Sequence, residues 1–342
     1  MYHTLTNEKD GRCIQVQFRP FQDKDAPELI RCIRSEYADT YFKRGFYTPE
    51  TLIRENASGH IRFLTAELSD GGVAGMLALK RFLPREDMCE IASQIFKSEY
   101  RGFHMAWPFF QYGMEQIDRM DVSAVYCLPV VFHDITEVLM ERIGLMPCGF
   151  VFSVFRMDVI HHSYPRDENF KHPQGIMVQP KSKRDGGRIF VPAEHSAFAR
   201  DIYGSMKADC APDSTAVPLT GESNLFFEND EIQKSCAIHV DRAGADLAAR
   251  ILAIRAANPE PLQTFNVFLN ISDESAVAAY EALTALGFFF AGFQPLCSAR
   301  EIMVLHDPGS VPLYLDALAL TPRFQRVRDY IKPFYEKRRA RE

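Results

Sequence analysis

The stretch that decides the fold is IFKSEYRGFHMAWPFF, residues 95–110. It continues an apolar run that begins at Met88 and whose composition is typical of a buried strand. A polar loop containing Gly102 leads from it into a helix over residues 107–120, with Pro108 near the start. The stretch therefore predicts a strand, a loop and the start of a helix, in that order.

The segments on either side of this stretch predict the rest of the first half. Apolar alternation and start signals indicate a strand at residues 14–18 and helices at 25–37 and 48–58. A hairpin over residues 61–82 precedes the central strand, and strands at 122–132 and 148–159 follow the helix. Between them, Asp134 and Glu137 have the spacing of a capping box, and their helix ends at Gly144. The order β-α-α-β-β-β-α-β-α-β predicts an α/β fold, a mixed and mostly antiparallel sheet with helices on both faces.

The second half partly repeats this order. Residues 161–187 are polar and rich in Pro, Lys and Asp, which predicts a linker. Beyond it, both halves end in the order β-α-β-α-β, which indicates an internal duplication. We therefore expect two tandem domains, at residues 1–160 and 188–307, with the linker at 161–187 between them. A C-terminal helical extension at 308–342 would contain a last helix that starts at Thr321-Pro322.

Composition limits the classes of function. The net charge of −6 argues against nucleic acid as a partner, because phosphate binding needs a basic surface. No apolar run is long enough to span a membrane and the first residues have no signal-peptide core, so we expect no membrane partner and a cytoplasmic location. The eight cysteines are scattered without a CxxC pair, which favours reduced thiols over disulfides or a metal site.

The first half, from Val16 to Asp158, resembles the GNAT superfamily of N-acetyltransferases. The resemblance is carried by the loop Arg101-Gly102-Phe103-His104-Met105-Ala106, which is similar to the family pattern Arg/Gln-x-x-Gly-x-Gly/Ala. Arg101 and Ala106 fit that pattern, whereas His104 stands where the family has Gly. A side chain there would either crowd the phosphates of a ligand or donate a hydrogen bond to them.

The resemblance implies that acetyl-CoA, or another acyl-CoA, is the co-substrate. It places the pyrophosphate at the loop, on Arg101, Gly102, Phe103, His104, Met105 and Ala106. It also implies that the pantetheine arm lies against the backbone of Ile95, Phe96 and Lys97. The second half resembles a partner domain of the same kind. Its equivalent loop, residues 241–246, holds Asp241 and Asp246, which would repel a phosphate, so we expect that domain to be degenerate.

Two residues are candidates for catalysis. Glu90 lies at the start of the loop-bearing strand, where many members of the family place a catalytic Glu; the alternative is an ordinary strand carboxylate. His133 follows the strand at 122–132, beside the helix that Asp134 begins, and is either an acid, a base or a substrate contact, or a structural histidine. The tyrosine that protonates the leaving thiolate in many family members is replaced by Met140 in the first half and Leu283 in the second.

The sequence leaves three functions open. The first is an acyl-CoA-dependent N-acyltransferase that moves an acyl group to a small-molecule or peptide amine by direct attack. The second is an acyl-CoA-binding sensor without turnover, and the third is a pseudoenzyme that serves as a scaffold. The aromatic stretch around Tyr41, Phe42 and Phe46 fits core packing better than a substrate pocket. Neither the acceptor nor the oligomeric state can be predicted.

Overall fold

The chain divides into two units in a computed structural model that describes residues 2–82, 85–156, 170–181, 187–259, 261, 263–297 and 300–340. The first unit extends from the N-terminus to Tyr126, and the second unit from Cys127 to the C-terminal helix. The division falls before the predicted boundary at residue 160, so the helix and strand that follow Tyr126 belong to the second unit. Mixed α/β structure is confirmed in both units.

The first unit is a sheet with helices on both faces, as the element order predicts. Its strands follow one another in the sheet in chain order, and only β5 and β6 are parallel. The elements are β1 (His3–Thr6), β2 (Cys13–Pro20), α1 (Ala26–Tyr37), α2 (Pro49–Ser58), β3 (Ile61–Leu68), β4 (Val73–Phe82), β5 (Arg85–Phe96), α3 (Ala106–Ile117) and β6 (Ala124–Cys127).

Each face of this sheet packs against different helices. On one face, apolar side chains of α1, α2 and the loop between them join Phe63, Met76 and Ile95 in one buried cluster. On the other face, Phe109 of α3 stacks on Phe18 with ring centroids 4.8 Å apart. This packing holds the start of α3 next to the end of β5, which is the geometry that positions the candidate site.

The second unit contains a seven-stranded sheet. The strand order is β8-β7-β14-β15-β13-β12-β11, in which only β12 and β13 are parallel, and β9 pairs with β10 separately. The elements are α4 (Ile135–Arg142), β7 (Met146–Arg156), β8 (Lys171–Pro180), β9 (Arg188–Phe190), α5 (Ala193–Ser205), β10 (Ala211–Asp213), β11 (Asn224–Asp230), β12 (Ser235–Arg242), α6 (Leu247–Ala257), β13 (Thr264–Asn270), α7 (Ala276–Ala285), β14 (Phe289–Cys297), β15 (Arg300–Asp307) and α8 (Pro322–Arg339).

Strands β7 and β14 meet at two glycines. Gly149 pairs with Gly292, and an added Cβ on Gly292 would lie 2.2 Å from the Cα of Gly149. Gly292 also has a φ of +129°, a conformation that side chains rarely adopt. The two strands hold the same place in the repeated order β-α-β-α-β, so this contact joins equivalent parts of the two halves of the sequence.

Part of the predicted linker is wrong, because residues 171–180 form strand β8, which pairs with β7 along most of its length. Polar residues at its start obscure the pattern in the sequence. Lys171 is buried, but its Nζ donates to the carbonyl oxygen of Lys234 at 2.6 Å and to Oγ1 of Thr264 at 3.2 Å. A buried cation is tolerated where such acceptors satisfy it. Residues 161–169 and 182–186 of the linker prediction lie outside the described residues.

The predicted capping box is also wrong. The side chain of Asp134 makes no capping hydrogen bond to α4. The carboxylate of Glu137 instead lies buried, where its Oε2 accepts a hydrogen bond from the backbone N–H of Thr321 at 2.8 Å. Thr321 in turn caps α8 by accepting from the N–H of Phe324. The predicted start of α8 at Thr321-Pro322 is confirmed. Glu137 bonds to this distant residue instead of to the backbone of its own helix.

Glu137→Gln is expected to stabilise the protein as the pH rises. Burial raises the pKa of Glu137 to about 8. A carboxyl whose pKa is higher in the folded state than in the unfolded state does not lower the free energy of unfolding below its unfolded pKa. Its destabilising effect grows from about pH 4.5 to pH 8. Glutamine keeps an acceptor for Thr321 but cannot ionise. In urea titrations the variant should gain roughly 2–4 kcal/mol on the wild type between pH 5 and pH 9; an unchanged difference would contradict a buried, protonated Glu137.

Candidate functional site

The loop before α3 presents a row of free amides. Among the described residues, no protein group accepts a hydrogen bond from the backbone N–H groups of residues 102–106. Farther along the chain, the N–H of Phe109 bonds to the carbonyl of Met105. The N–H groups of residues 102–106 lie at a helix N-terminus, where the dipole favours an anion. The anion site at Arg101–Ala106 stays a prediction.

Residues of the N-terminal hairpin contact this loop. Asn7, which follows β1, is buried, and its Nδ2 donates to the carbonyl of Arg101 at 3.4 Å. A Cβ on Gly102 would lie 3.1 Å from that amide group, and the φ of Gly102 is +88°. The guanidinium of Arg12 lies over the ring of Phe103, 5.6 Å from its centroid. Phe103 and Met105 are buried, so they anchor the loop and contribute their backbone to its surface.

His104 has a left-handed backbone, with a φ of +54°. Its side chain is 69% exposed, and the nearest charged group to its Nε2 is Oε2 of Glu8 at 3.7 Å. Glycine adopts this conformation without strain, whereas other residues rarely do.

Because of this conformation, His104→Gly is expected to leave folding intact. The removal of left-handed strain, worth roughly 1 kcal/mol, is offset by the greater freedom of glycine in the unfolded chain. The free energy of unfolding should stay within about 1 kcal/mol of the wild type. Chemical denaturation measures it, and a larger loss would mean that the imidazole makes packing contacts in the loop.

Strand β5 loses one neighbour before it reaches the loop. It pairs with β6 only from Met88 to Glu90, while its pairing with β4 continues to Phe96. The pairing with β4 is interrupted at Ser93, whose φ is +52°, and the register shifts there. This is a β-bulge, a feature that re-aims side chains next to functional sites. Ile95, Phe96 and Lys97, which were predicted to line the pantetheine arm, lie between the bulge and the loop.

A polar cluster surrounds the bulge within an aromatic environment. The hydroxyl of Tyr41 lies 2.9 Å from Oγ of Ser93, and Nζ of Lys43 donates to the same Oγ at 3.4 Å. The rings of Tyr41 and Phe46 belong to the buried core, which confirms the interpretation of this stretch as core packing. Burial raises the pKa of Tyr41 and lowers the pKa of Lys43. Tyr41 is therefore a protonated hydroxyl at neutral pH.

Glu90 lies on the same strand, three residues before the bulge. It is 7% exposed, and its Oε2 lies 3.7 Å from Nζ of Lys80 on β4. Its charge also favours the protonated forms of Tyr41 and Lys43, which places it within electrostatic reach of both. A carboxylate beside an ordered hydroxyl and an amine can accept a proton in a transfer reaction.

The second catalytic candidate, His133, belongs to the second unit. It lies in the segment between β6 and α4, and the ring of Phe132 packs edge-on against it at 4.9 Å between centroids. The role proposed for His133 from the sequence remains a prediction.

Three amides of the equivalent loop in the second unit already have acceptors within the chain. The N–H of Ala243 donates to Oγ of Ser275, that of Gly244 to Oγ of Ser223, and that of Ala245 to the carbonyl of Gly221. Asp246 accepts from both the backbone N–H and the hydroxyl of Ser223, each at 2.7 Å. Whether this domain is degenerate stays a prediction.

A buried Ser–His–Asn arrangement in the second unit has the geometry of a catalytic triad but no access to solvent. Oγ of Ser153 lies 3.3 Å from Nε2 of His306, whose Nδ1 lies 3.0 Å from Oδ1 of Asn266. Ser153 and His306 are 0% exposed. Burial lowers the pKa of His306, so the ring is neutral. A fully satisfied buried network of this kind stabilises and orders a core.

Three further observations concern the predicted absences. Within the described part of the chain, no helix is long and apolar enough to cross a membrane. No group of three or more His, Cys, Asp or Glu side chains that could hold a metal was found in that part either. The seven cysteines whose side chains are described form no disulfide with one another, and five of them are buried.

Sequence reasoning missed Asn7, Lys43 and Ser93. Ser93 and the adjacent Gln94 interrupt an otherwise apolar strand, and that pair of polar residues was the available signal for a bulge. Lys43 and the adjacent Arg44 are the two cations within the aromatic stretch at residues 41–47. No signal in the sequence links Asn7 to a loop that lies 94 residues away.

No protein-family model matches the chain, and no curated protein matches it. Among solved structures, the chain is similar to mutant forms of the spermidine/spermine N-acetyltransferase SpeG from Vibrio cholerae, with 14% identity, a TM-score of 0.39, and coverage of 49% of this chain and 95% of that one. It is also similar to the ribosomal-protein-S5-alanine acetyltransferase from Vibrio fischeri, with 9% identity, a TM-score of 0.39, and coverage of 49% and 93%.

Proposed function

We propose that the first unit is an acyl-CoA-dependent N-acyltransferase, with acetyl-CoA as the default donor. The observation that carries this proposal is the row of five free amides at residues 102–106, directly before α3. Backbone N–H groups at a helix start bind a pyrophosphate without any cationic side chain. Coenzyme A carries such a pyrophosphate. The amides of residues 243–245, which already have acceptors within the chain, favour binding by the first unit.

The open edge of β5 supports the position of the pantetheine arm. From Ile91 onward this edge has no pairing with β6, so its backbone groups are available to an extended ligand. Ser93 lies four residues before Lys97, about 13 Å along an extended strand. An arm that starts at the loop and follows Lys97, Phe96 and Ile95 would bring the thioester to the bulge, beside Tyr41 and Ser93.

The cluster at the bulge supplies the groups that amide formation needs. An amine must lose a proton to attack the thioester, and Glu90 is the carboxylate that would accept it. The leaving thiolate needs an acid, and the protonated hydroxyl of Tyr41 would fill the role for which Met140 is unsuited. The backbone at the bulge and the Ser93 hydroxyl can donate to the developing oxyanion.

The test is release of coenzyme A thiol from acetyl-CoA across a panel of primary amines that includes an α-amino acid, a polyamine and a peptide. We expect amine-dependent release with at least one class and only background release without protein. Binding of acetyl-CoA without any release would contradict the transferase and leave a binding protein. His104→Gly should be assayed in parallel: tighter binding would identify the imidazole as an obstruction, and weaker binding as a ligand contact.

A further inference from the structure

Lys43 occupies an unusual position at the bulge of β5. It lies in the loop between α1 and α2, and its Nζ donates to Oγ of Ser93 at 3.4 Å. The ammonium also lies over two aromatic rings, 5.4 Å from the centroid of Phe42 and 5.3 Å from that of Phe46. The side chain of Lys43 therefore lies beside aromatic rings, and its nitrogen is hydrogen-bonded to the bulge residue.

No carboxylate within the described residues pairs directly with this nitrogen. The other lysines of the site differ, since Nζ of Lys97 lies 2.7 Å from Glu28 and Nζ of Lys80 lies 3.7 Å from Glu90. An unpaired ammonium in an apolar setting tends toward its neutral form, and burial does lower the pKa of Lys43 while the charge of Glu90 opposes this. The neutral amine is the nucleophilic form of lysine.

We propose that Lys43 is itself an acyl acceptor, so that the first unit acylates its own Lys43 when acyl-CoA is bound. This proposal rests on the acyl-CoA site of the proposed function. The position assigned there to the thioester is the bulge, and Lys43 is the amine already hydrogen-bonded to the bulge residue. A nucleophile held next to a bound thioester reacts far faster than one in solution, because its orientation is fixed in advance.

The reaction balances without a further reagent. The lone pair of the neutral Nζ attacks the carbonyl carbon of the thioester, a C–N bond forms, and the C–S bond breaks. Glu90 accepts the proton that the nitrogen loses, and the Tyr41 hydroxyl gives its proton to the departing sulfur to form the thiol of coenzyme A. The proton on Glu90 then replaces the one that Tyr41 has lost. The product is an amide at Lys43, which has no charge. The modification would therefore remove the positive charge of Lys43 next to Ser93.

The test is peptide mass spectrometry of the full-length protein after timed incubation with acetyl-CoA. The rate of acetylation at Lys43 is compared with that at Lys24, an exposed lysine of the same unit. We expect Lys43 to react at least roughly a hundredfold faster, with a rate that saturates as acetyl-CoA increases. In Lys43→Arg, which keeps the charge but accepts no acyl group, the fast reaction should be absent while Lys24 reacts as before.

A small acetyl thioester without the nucleotide serves as the second probe. It should modify Lys43 no faster than Lys24, since it cannot use the loop at residues 102–106. Equal rates at the two lysines with acetyl-CoA, in a protein that acetyl-CoA stabilises against heat, would overturn the acylation of Lys43 and leave the proposed transferase standing. Absence of any thermal stabilisation by acetyl-CoA would overturn both. Fast modification of Lys43 by the small thioester would overturn delivery by bound coenzyme A.

Discussion

Gly292→Ala is expected to lower the free energy of unfolding by about 4 kcal/mol, from overpacking and backbone strain together. The new Cβ would lie 2.2 Å from the Cα of Gly149 and 2.7 Å from the carbonyl oxygen of Cys148. Both are backbone atoms of β7, so no side-chain rotation relieves the clash. The φ of +129° adds strain at the same position, because alanine rarely adopts it.

A matched control for this variant is Gly204→Ala. Gly204 lies in α5, and nothing lies within 4 Å of the Cβ that alanine would add. Alanine in a helix should raise the free energy of unfolding by about 0.5–1 kcal/mol. Urea denaturation of both variants measures the difference. If Gly292→Ala remained within 1 kcal/mol of the wild type, then β7 and β14 would not approach through these glycines.

Glu90→Gln is expected to lower the rate of acyl transfer by about 10²–10⁴-fold, the usual contribution of a general base. Glutamine has the same size but cannot accept a proton from the attacking amine. The binding of acetyl-CoA should be unchanged, because Glu90 lies on the far side of the bulge from the loop. Steady-state thiol release measures the rate, and titration with acetyl-CoA measures the binding.

The control for Glu90→Gln is Glu115→Gln, which removes the same charge from an exposed position on α3. It should leave the rate unchanged. Urea denaturation of Glu90→Gln checks its folding, because Glu90 is buried and its Oε2 lies 3.7 Å from Nζ of Lys80. An unchanged rate in Glu90→Gln would mean that Glu90 is an ordinary strand carboxylate.

The features that sequence reasoning found were those with local signals. Pro108 marks the start of α3, and Gly102 marks the turn before it. Each signal comes from the backbone conformations that the residue itself allows. Apolar alternation located β2, and the Gly-rich turn at residues 69–72 located the hairpin of β3 and β4. The same apolar periodicities predicted the order β-α-β-α-β at the end of each half.

The features that it missed depend on distant contacts. Strand β8 begins with Lys171, which becomes compatible with burial only through acceptors more than 60 residues away. Glu137 has the spacing of a capping residue but bonds to Thr321, 184 residues later. Strand β1 is four residues long and mostly exposed, so it has no apolar pattern. The left-handed backbone of Ser93 is a property of the bulge and has no local sequence cause.

A coenzyme A site at this loop requires the amides at residues 102–106. A substitution beside them can weaken anion binding without damage to the fold. Ala106→Asp adds a carboxylate to the first turn of α3. There it favours the helix dipole, so folding should not suffer, but it would repel a pyrophosphate. Gln111→Glu adds the same charge to an exposed position farther along α3 and leaves the loop unchanged.

The most direct test is therefore thermal unfolding of the wild type, Ala106→Asp and Gln111→Glu with and without acetyl-CoA. We expect the wild type and Gln111→Glu to gain about 2.7 kcal/mol at a ligand concentration a hundredfold above the dissociation constant, and Ala106→Asp to gain nothing. No gain in the wild type at millimolar acetyl-CoA, or an equal gain in Ala106→Asp, would contradict a coenzyme A site at this loop.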